Sequence, residues 1–413
     1  SFAQQRLWFL DQLDPGSAEY VIPSPIPLTG DIDIAALRAA LDALVERHEV
    51  LRTRLIADDD GIPWQVIDPP TRFDLPVVAV TEDEARAFVA ADAATPFDLA
   101  TGPLIRASLL RLADDQHILA LSMHHIVSDE WSAGVFNREL AALYEAFRDG
   151  RPNPLPPLTV QYADFAVWQR DRLTGPVLEE QLGYWRNQLA DPPVLELPTD
   201  HPRPPVRSTA GAAISFHLDS HVTARLRELS RKQSSTMFMT LLAAYAVLLG
   251  KYSGQDDLVV GTPVAGRTQG QTEDLIGFFV NTLALRTDLS GDPTFTQLLG
   301  RVRATALDAY THQDLPFEQL VDELGIARDR SRTPLFQAFF NYVIADSSSD
   351  RLAAGNLQEP PAKCDLMVGF TQDGDALTGT VEYSTALFEG STIERLAGHL
   401  TRLLEAIAQD PNR

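Results

Sequence analysis

Met123-His-His-Ile-Val-Ser-Asp-Glu-Trp-Ser132 decides how this 413-residue chain is read. A strand-like apolar run, His117-Ile-Leu-Ala-Leu-Ser-Met123, leads into it, and an amphipathic helical pattern from Trp131 to Phe147 follows. Successive side chains on a strand point to opposite faces, so His124 and His125 cannot both enter one cleft. One is structural and the other is placed at a strand end where a polar group is costly unless used. A neutral imidazole, with an ordinary pKa of ~6.5, suits a proton acceptor for an attacking amine or alcohol. Taken alone, the loop is also satisfied by two ordinary strand-end histidines and by Asp129 as a helix N-cap. Asp129 reads better as the partner of an arginine that holds the loop in shape than as a direct partner of His125.

Outward from this loop, the patterns mix helices and strands. Phe2 to Leu13 is a helix stopped by Asp14-Pro-Gly16, and Ile34, Leu37, Leu41, Leu44 and Val45 share one face of a second helix running to about Val50, with Asp31 or Asp33 as cap. A hairpin turns at Asp58-Asp-Asp-Gly61, Glu82 to Ala94 is helical, and Leu104–Arg111 pairs with Gln116–Met123. Pro192, Pro193, Pro198, Pro202, Pro204 and Pro205 make 191–207 an extended connector between two α/β lobes, 1–190 and 208–413. The second lobe alternates strands (Ala212–Leu218, Asp257–Pro263, Phe278–Arg286, and three near Phe336–Val343, Asp365–Gln372 and Leu377–Tyr383) with helices, the last being Thr392–Ala408. The two halves are compatible with one fold used twice.

Composition narrows the function. The formal charge is −23, from 34 basic and 57 acidic residues spread along the chain, which disfavours nucleic acid and anionic membranes as partners. Met237 to Gly250 is the longest apolar run and is too short to span a bilayer. The single cysteine, Cys364, and the absence of a signal-peptide pattern point to a reducing cytoplasm. The chain opens inside a helical pattern, as expected for a segment of a longer polypeptide. The histidines outside the loop lack metal-ligand spacing, and neither a phosphate-binding glycine loop nor a Gly-x-Ser-x-Gly elbow occurs, so no metal or cofactor is expected.

Seven stretches, in order, resemble the motifs of condensation domains of nonribosomal peptide synthetases. They are Ser1-Phe-Ala-Gln-Gln-Arg-Leu-Trp8, Arg47-His-Glu-Val-Leu-Arg-Thr-Arg54, Met123 to Ser132, Tyr162-Ala-Asp-Phe-Ala-Val-Trp-Gln169, Ile276-Gly-Phe-Phe-Val-Asn-Thr-Leu-Ala-Leu-Arg286, His312-Gln-Asp-Leu-Pro-Phe-Glu318 and Arg328-Asp-Arg-Ser-Arg-Thr-Pro-Leu335. The resemblance implies two chloramphenicol acetyltransferase-like lobes in a V-shaped pseudodimer with a tunnel between them. It implies peptide-bond formation, in which an acceptor aminoacyl amine attacks a donor thioester. Both substrates would arrive on phosphopantetheine arms of upstream and downstream peptidyl carrier domains, beside an adjacent adenylation domain, with no cofactor bound here and the excised domain monomeric. His125 would orient or deprotonate the amine, His124 would support the strand, and Asp129 would pair with Arg267 or, as second choice, Arg286. Asn341 is a candidate contact for substrate amides and Ser132 for the substrate channel or its gate. The wording from Ile126 to Ser132 resembles the subclass joining an L-configured donor to an L-aminoacyl acceptor.

Glu130 departs from the family's pattern, which has glycine there. Either it pairs with Arg6 or Arg267 and gates the acceptor side, or it sits in the first turn of the following helix, where the dipole favours a carboxylate. The departure keeps open a second class: a non-catalytic platform of the same fold that recruits a tailoring enzyme.

Overall fold

The computed structural model describes residues 1–326, 329–344 and 362–412, so Arg328, the first residue of the last motif, lies outside the described residues. The chain forms two compact units. The first comprises Ser1–Thr174 together with Ala265–Val280, and the second contains 175–264, 281–344 and 362–412.

In the first unit, α1 (Phe2–Leu13), β1 (Val21–Pro23), β2 (Ile26–Thr29) and α2 (Ile34–Arg47) lead to the hairpin β3 (Thr53–Ala57) and β4 (Pro63–Ile67). Then come β5 (Val77–Ala79), α3 (Glu82–Ala93), β6 (Ile105–Ala113), β7 (Gln116–His124), α4 (Glu130–Arg148) and α5 (Tyr162–Arg172). β7 is central: it pairs antiparallel with β6 on one side and with β1 and β2 on the other, while β5 adds to β6 in parallel. Asp33 caps α2 by accepting from the amides of Ala35 and Ala36. That helix stops at Arg47, earlier than its periodicity predicts, because 49–52 tighten into a 3₁₀ turn feeding β3. Leu37, Leu41 and Leu44 of α2 pack with Val135, Phe136 and Leu143 of α4 in one core that also holds Leu119 and Leu121 of β7. Their burial, at about 1.5–3 kcal/mol for each fully buried Leu, Val or Phe, anchors the strand end that carries the histidines.

The second unit begins with α6 (Gly175–Gln188) and continues with β8 (Gly211–Leu218), α7 (Ser220–Lys232), α8 (Met237–Ser253), β9 (Asp257–Val264), β10 (Asn281–Asp288), α9 (Phe295–Thr311), α10 (Phe317–Glu323), β11 (Ala338–Ile344), β12 (Leu366–Asp373), β13 (Ala376–Ser384) and α11 (Gly390–Gln409). Its six strands run in the order β10-β9-β11-β12-β13-β8, with β11 parallel to both neighbours. No single helix among the described residues is long and apolar enough to cross a membrane.

Further assignments differ from the sequence expectation, among them 265–280, read as second-lobe but belonging to the first unit. Residues 175–190 read as first-lobe and 191–207 as a connector, yet Leu182, Trp185, Leu189 and Leu195 enter the core of the second unit. The proline-rich stretch does lack helix and strand, and Arg203 ties it to Asp365. The strand expected from Phe278 begins only at Asn281, because the backbone of 276–279 is bonded to side chains of the first unit instead of to a neighbouring strand.

Candidate active site

β7 ends at His124, and the two histidines have different surroundings. His124 is 3% exposed and lies near the rings of Tyr20 and Phe97. Its Nδ1 accepts the Ile126 amide at 3.1 Å, so the ring proton sits on Nε2. Burial, with His125 beside it, lowers its pKa from 6.5 to about 4. His124 is therefore neutral near pH 7.

His125 opens a 3₁₀ turn, His125–Val127, and is only partly buried. Its amide donates to the Tyr20 carbonyl at 2.8 Å, and its Nδ1 lies 2.8 Å from the Ser128 carbonyl oxygen. A carbonyl can only accept, so Nδ1 carries the proton and the basic lone pair of the neutral ring is on Nε2. The Phe278 ring meets the imidazole at 4.8 Å between centroids and 63° between planes.

Asp129 is both the N-cap of α4 and an ion-pair partner. Oδ1 accepts from the Ser132 amide at 2.8 Å and lies 3.2 Å from Arg267 Nη2, while Oδ2 accepts from the Phe279 amide at 2.9 Å. Both side chains are nearly inaccessible, at 4% and 3% exposed. Arg267 Nη1 donates to the carbonyls of Thr272 and Leu275, and its guanidinium lies 4.0 Å from the Phe279 ring centroid. Burial pulls the Arg267 pKa below its ordinary value, against the pull of the Asp129 charge.

The stretch 275–279 is buried throughout yet has no regular secondary structure. Backbone polar groups in such a place need partners, and motif side chains supply them. His48 Nδ1 accepts from the Ile276 amide at 3.4 Å, Ser132 Oγ accepts from the Gly277 amide at 3.0 Å, and the Tyr162 hydroxyl donates to the Phe278 carbonyl at 2.5 Å. Burial raises the Tyr162 pKa, which keeps that hydroxyl a donor. His48 Nε2 in turn donates to Glu139 Oε2 at 2.7 Å, and Arg47 Nε binds the same carboxylate at 3.0 Å. Gln4 Nε2 donates to the Ile126 carbonyl at 3.0 Å. Five of the quoted motifs, and Arg267, thus meet around the histidine loop.

Comparison with known proteins follows the same geometry. The family model described as the condensation domain matches residues 1–413. The chain belongs to the condensation-domain family. It is 50% identical to a linear gramicidin synthase of Brevibacillus parabrevis over all of its own length and 6% of that protein's, so the condensation domain spans a small fraction of the curated relatives it matches. The X-domain from teicoplanin biosynthesis superposes with a TM-score of 0.87 at 32% identity, over 99% of this chain and 94% of that one. The first condensation domain of the CDA synthetase gives 0.82 at 25% identity, over 100% and 96%.

The remaining candidate residues of this condensation domain fall in different places. Ser132, expected at the substrate channel or gate, is 0% exposed: its Oγ accepts from Arg267 Nη2 at 2.8 Å and reaches Asp129 Oδ1 at 2.6 Å. That hydroxyl is committed to holding the loop and has no face for substrate. Glu130 is the first residue of α4 and is exposed, as is Arg6. Arg286 belongs to the second unit and pairs with Asp257 at 2.7 Å. Asn341 lies half-buried on β11, opposite Gly369.

Glu139 escaped the sequence reading. Its signal was an acid on the apolar stripe Val135, Phe136, Leu140 and Leu143 of an amphipathic helix, where a charge needs a buried partner. His48, Tyr162 and Phe278 stood inside quoted motifs without assigned roles.

Proposed function

We propose that the chain forms a peptide bond by attack of an acceptor aminoacyl amine on a donor acyl thioester. Both are delivered on phosphopantetheine arms of peptidyl carrier domains upstream and downstream, next to an adenylation domain. The observation that carries the reading is the tautomer of His125. With Nδ1–H committed to the Ser128 carbonyl, Nε2 is the atom that accepts or orients the amine proton. As the C–N bond forms, the negative charge gathers on the former thioester oxygen. The C–S bond then breaks, the pantetheine thiolate leaves, and the proton taken from nitrogen is returned to sulfur. The Ser128 carbonyl stabilises the imidazolium formed in between.

Asp129 and Arg267 act by keeping the loop in place. The wording from Ile126 to Ser132 supports L-configured donor and acceptor substrates. The reaction runs where synthetases of this kind work, in the cytoplasm.

The test loads a donor peptidyl carrier and an aminoacyl acceptor carrier and detects the product by mass. His125→Ala is expected to lose roughly 10²–10⁴-fold in rate, the typical worth of a positioned proton-transfer group. The platform reading has one observation in its favour, the likeness to the X-domain, which has also been solved in a complex with OxyB. Intact protein that forms no product but binds a tailoring enzyme stably would replace catalysis with that reading.

A further inference from the structure

We infer that Phe278 is a positioning residue that fixes the ring plane of His125, and that the Tyr162 hydroxyl holds Phe278 in place to do so. The inference rests on His125 being the proton-handling group proposed above.

The hydrogen bond from Nδ1 to the Ser128 carbonyl fixes one point of the imidazole. The Phe278 ring restrains its plane. It packs edge-on at 4.8 Å and 63°, the arrangement in which the positive edge of one ring meets the negative face of the other.

Phe278 can serve as a fixed wall because its own backbone is pinned on both sides. Its carbonyl accepts from the Tyr162 hydroxyl at 2.5 Å, the preceding amide at Gly277 donates to Ser132 Oγ at 3.0 Å, and the following amide at Phe279 donates to Asp129 Oδ2 at 2.9 Å. Gly277 cannot be larger, since a Cβ there would stand 2.1 Å from Tyr162 Cδ2. The Phe278 side chain is itself 7% exposed, so it has little room to turn away. Tyr162 from α5, with Asp129 and Ser132 from the start of α4, therefore hold Phe278 and its two neighbours, and the Phe278 ring meets the imidazole. Aiming Nε2 is the consequence, and a proton acceptor a fraction of an ångström out of line loses much of its rate.

The experiment compares Phe278→Leu, Phe278→Tyr and Tyr162→Phe with the wild type, by ¹⁵N-histidine NMR with the His125 signals assigned through His125→Gln, and by condensation kinetics. In wild type, His125 should show the Nδ1–H tautomer in a single environment. Phe278→Leu should mix tautomers or environments and lower kcat about tenfold to a hundredfold, with KM for the aminoacyl carrier little changed. Phe278→Tyr, which keeps the ring, should recover most of both readouts. Tyr162→Phe, which keeps the shape and loses only the hydroxyl, should fall between.

A folded Phe278→Leu protein with unchanged His125 signals overturns the inference, whether or not its rate falls. A wild type that forms no peptide bond refutes the proposed function instead, and the NMR comparison still reads whether Phe278 orders the ring.

Discussion

Asp129 and Arg267 are 138 residues apart in sequence and 3.2 Å apart in space. The pair is buried, and each partner has further duties: Asp129 caps α4 and receives the Phe279 amide, while Arg267 satisfies the carbonyls of Thr272 and Leu275. It fastens a loop of irregular backbone to the turn that carries His125.

Removing one partner leaves the other charge buried. Arg267→Ala is expected to cost about 3–5 kcal/mol in urea unfolding. Asp129→Asn keeps a side-chain acceptor at the cap and should cost less. The double substitution should be milder than the sum of the singles, and additive losses in a double-mutant cycle would show that the two side chains are not coupled.

His124 gives the domain a pH dependence of definite sign. Its folded-state pKa is about 4 against an ordinary 6.5, so between these values the unfolded chain binds a proton that the folded one refuses. Stability from this group is therefore full above pH 6.5 and declines as pH falls toward 4, by about 3 kcal/mol in all, at 1.36 kcal/mol per unit. Carboxylates titrate in the same window, so the measurement is a difference. His124→Gln should show a shallower loss than wild type between pH 6.5 and 4, and parallel curves would contradict the assignment.

Gly277→Ala should act on activity through structure. The added methyl collides with the Tyr162 ring, Cδ2 at 2.1 Å and Cε2 at 2.5 Å, and either the ring or the loop must move. A loss of about 1–3 kcal/mol is expected, together with a fall in kcat. Gly398, within α11 and with open space at its Cβ position, provides the contrast: Gly398→Ala should stabilise by about 0.5–1 kcal/mol without touching the rate.

Glu130→Gly restores the residue that the family pattern has. Because Glu130 is exposed in the first turn of α4, the change should lower stability by about 0.5–1 kcal/mol through lost helix-dipole interaction and added backbone freedom, and leave turnover unchanged. Faster turnover with the acceptor carrier would instead mark Glu130 as a gate.

Periodicity made α4 and α11 legible, since each presents one apolar face to a core, and alternation made the β6–β7 pair legible, since one face of it is buried. The position of His124 at the end of β7 followed from the same rule. The segment Ile276-Gly-Phe-Phe-Val280 defeated that reasoning. Its residues favour a strand, and it becomes a buried loop because His48, Asp129, Ser132 and Tyr162 take up its backbone groups. Local propensity cannot register partners more than a hundred residues away.

By itself, then, the sequence determined the strongly periodic elements, the order of the seven motifs and the histidine pair, because periodicity and motif spacing are local properties of a chain. The resemblance already put Arg267 ahead of Arg286 as the partner of Asp129; tertiary structure alone decided that Ser132 is buried against both of that pair and that Phe278 stands against His125. Those outcomes depend on which buried polar groups find partners, and that is settled only when segments distant in sequence are packed together.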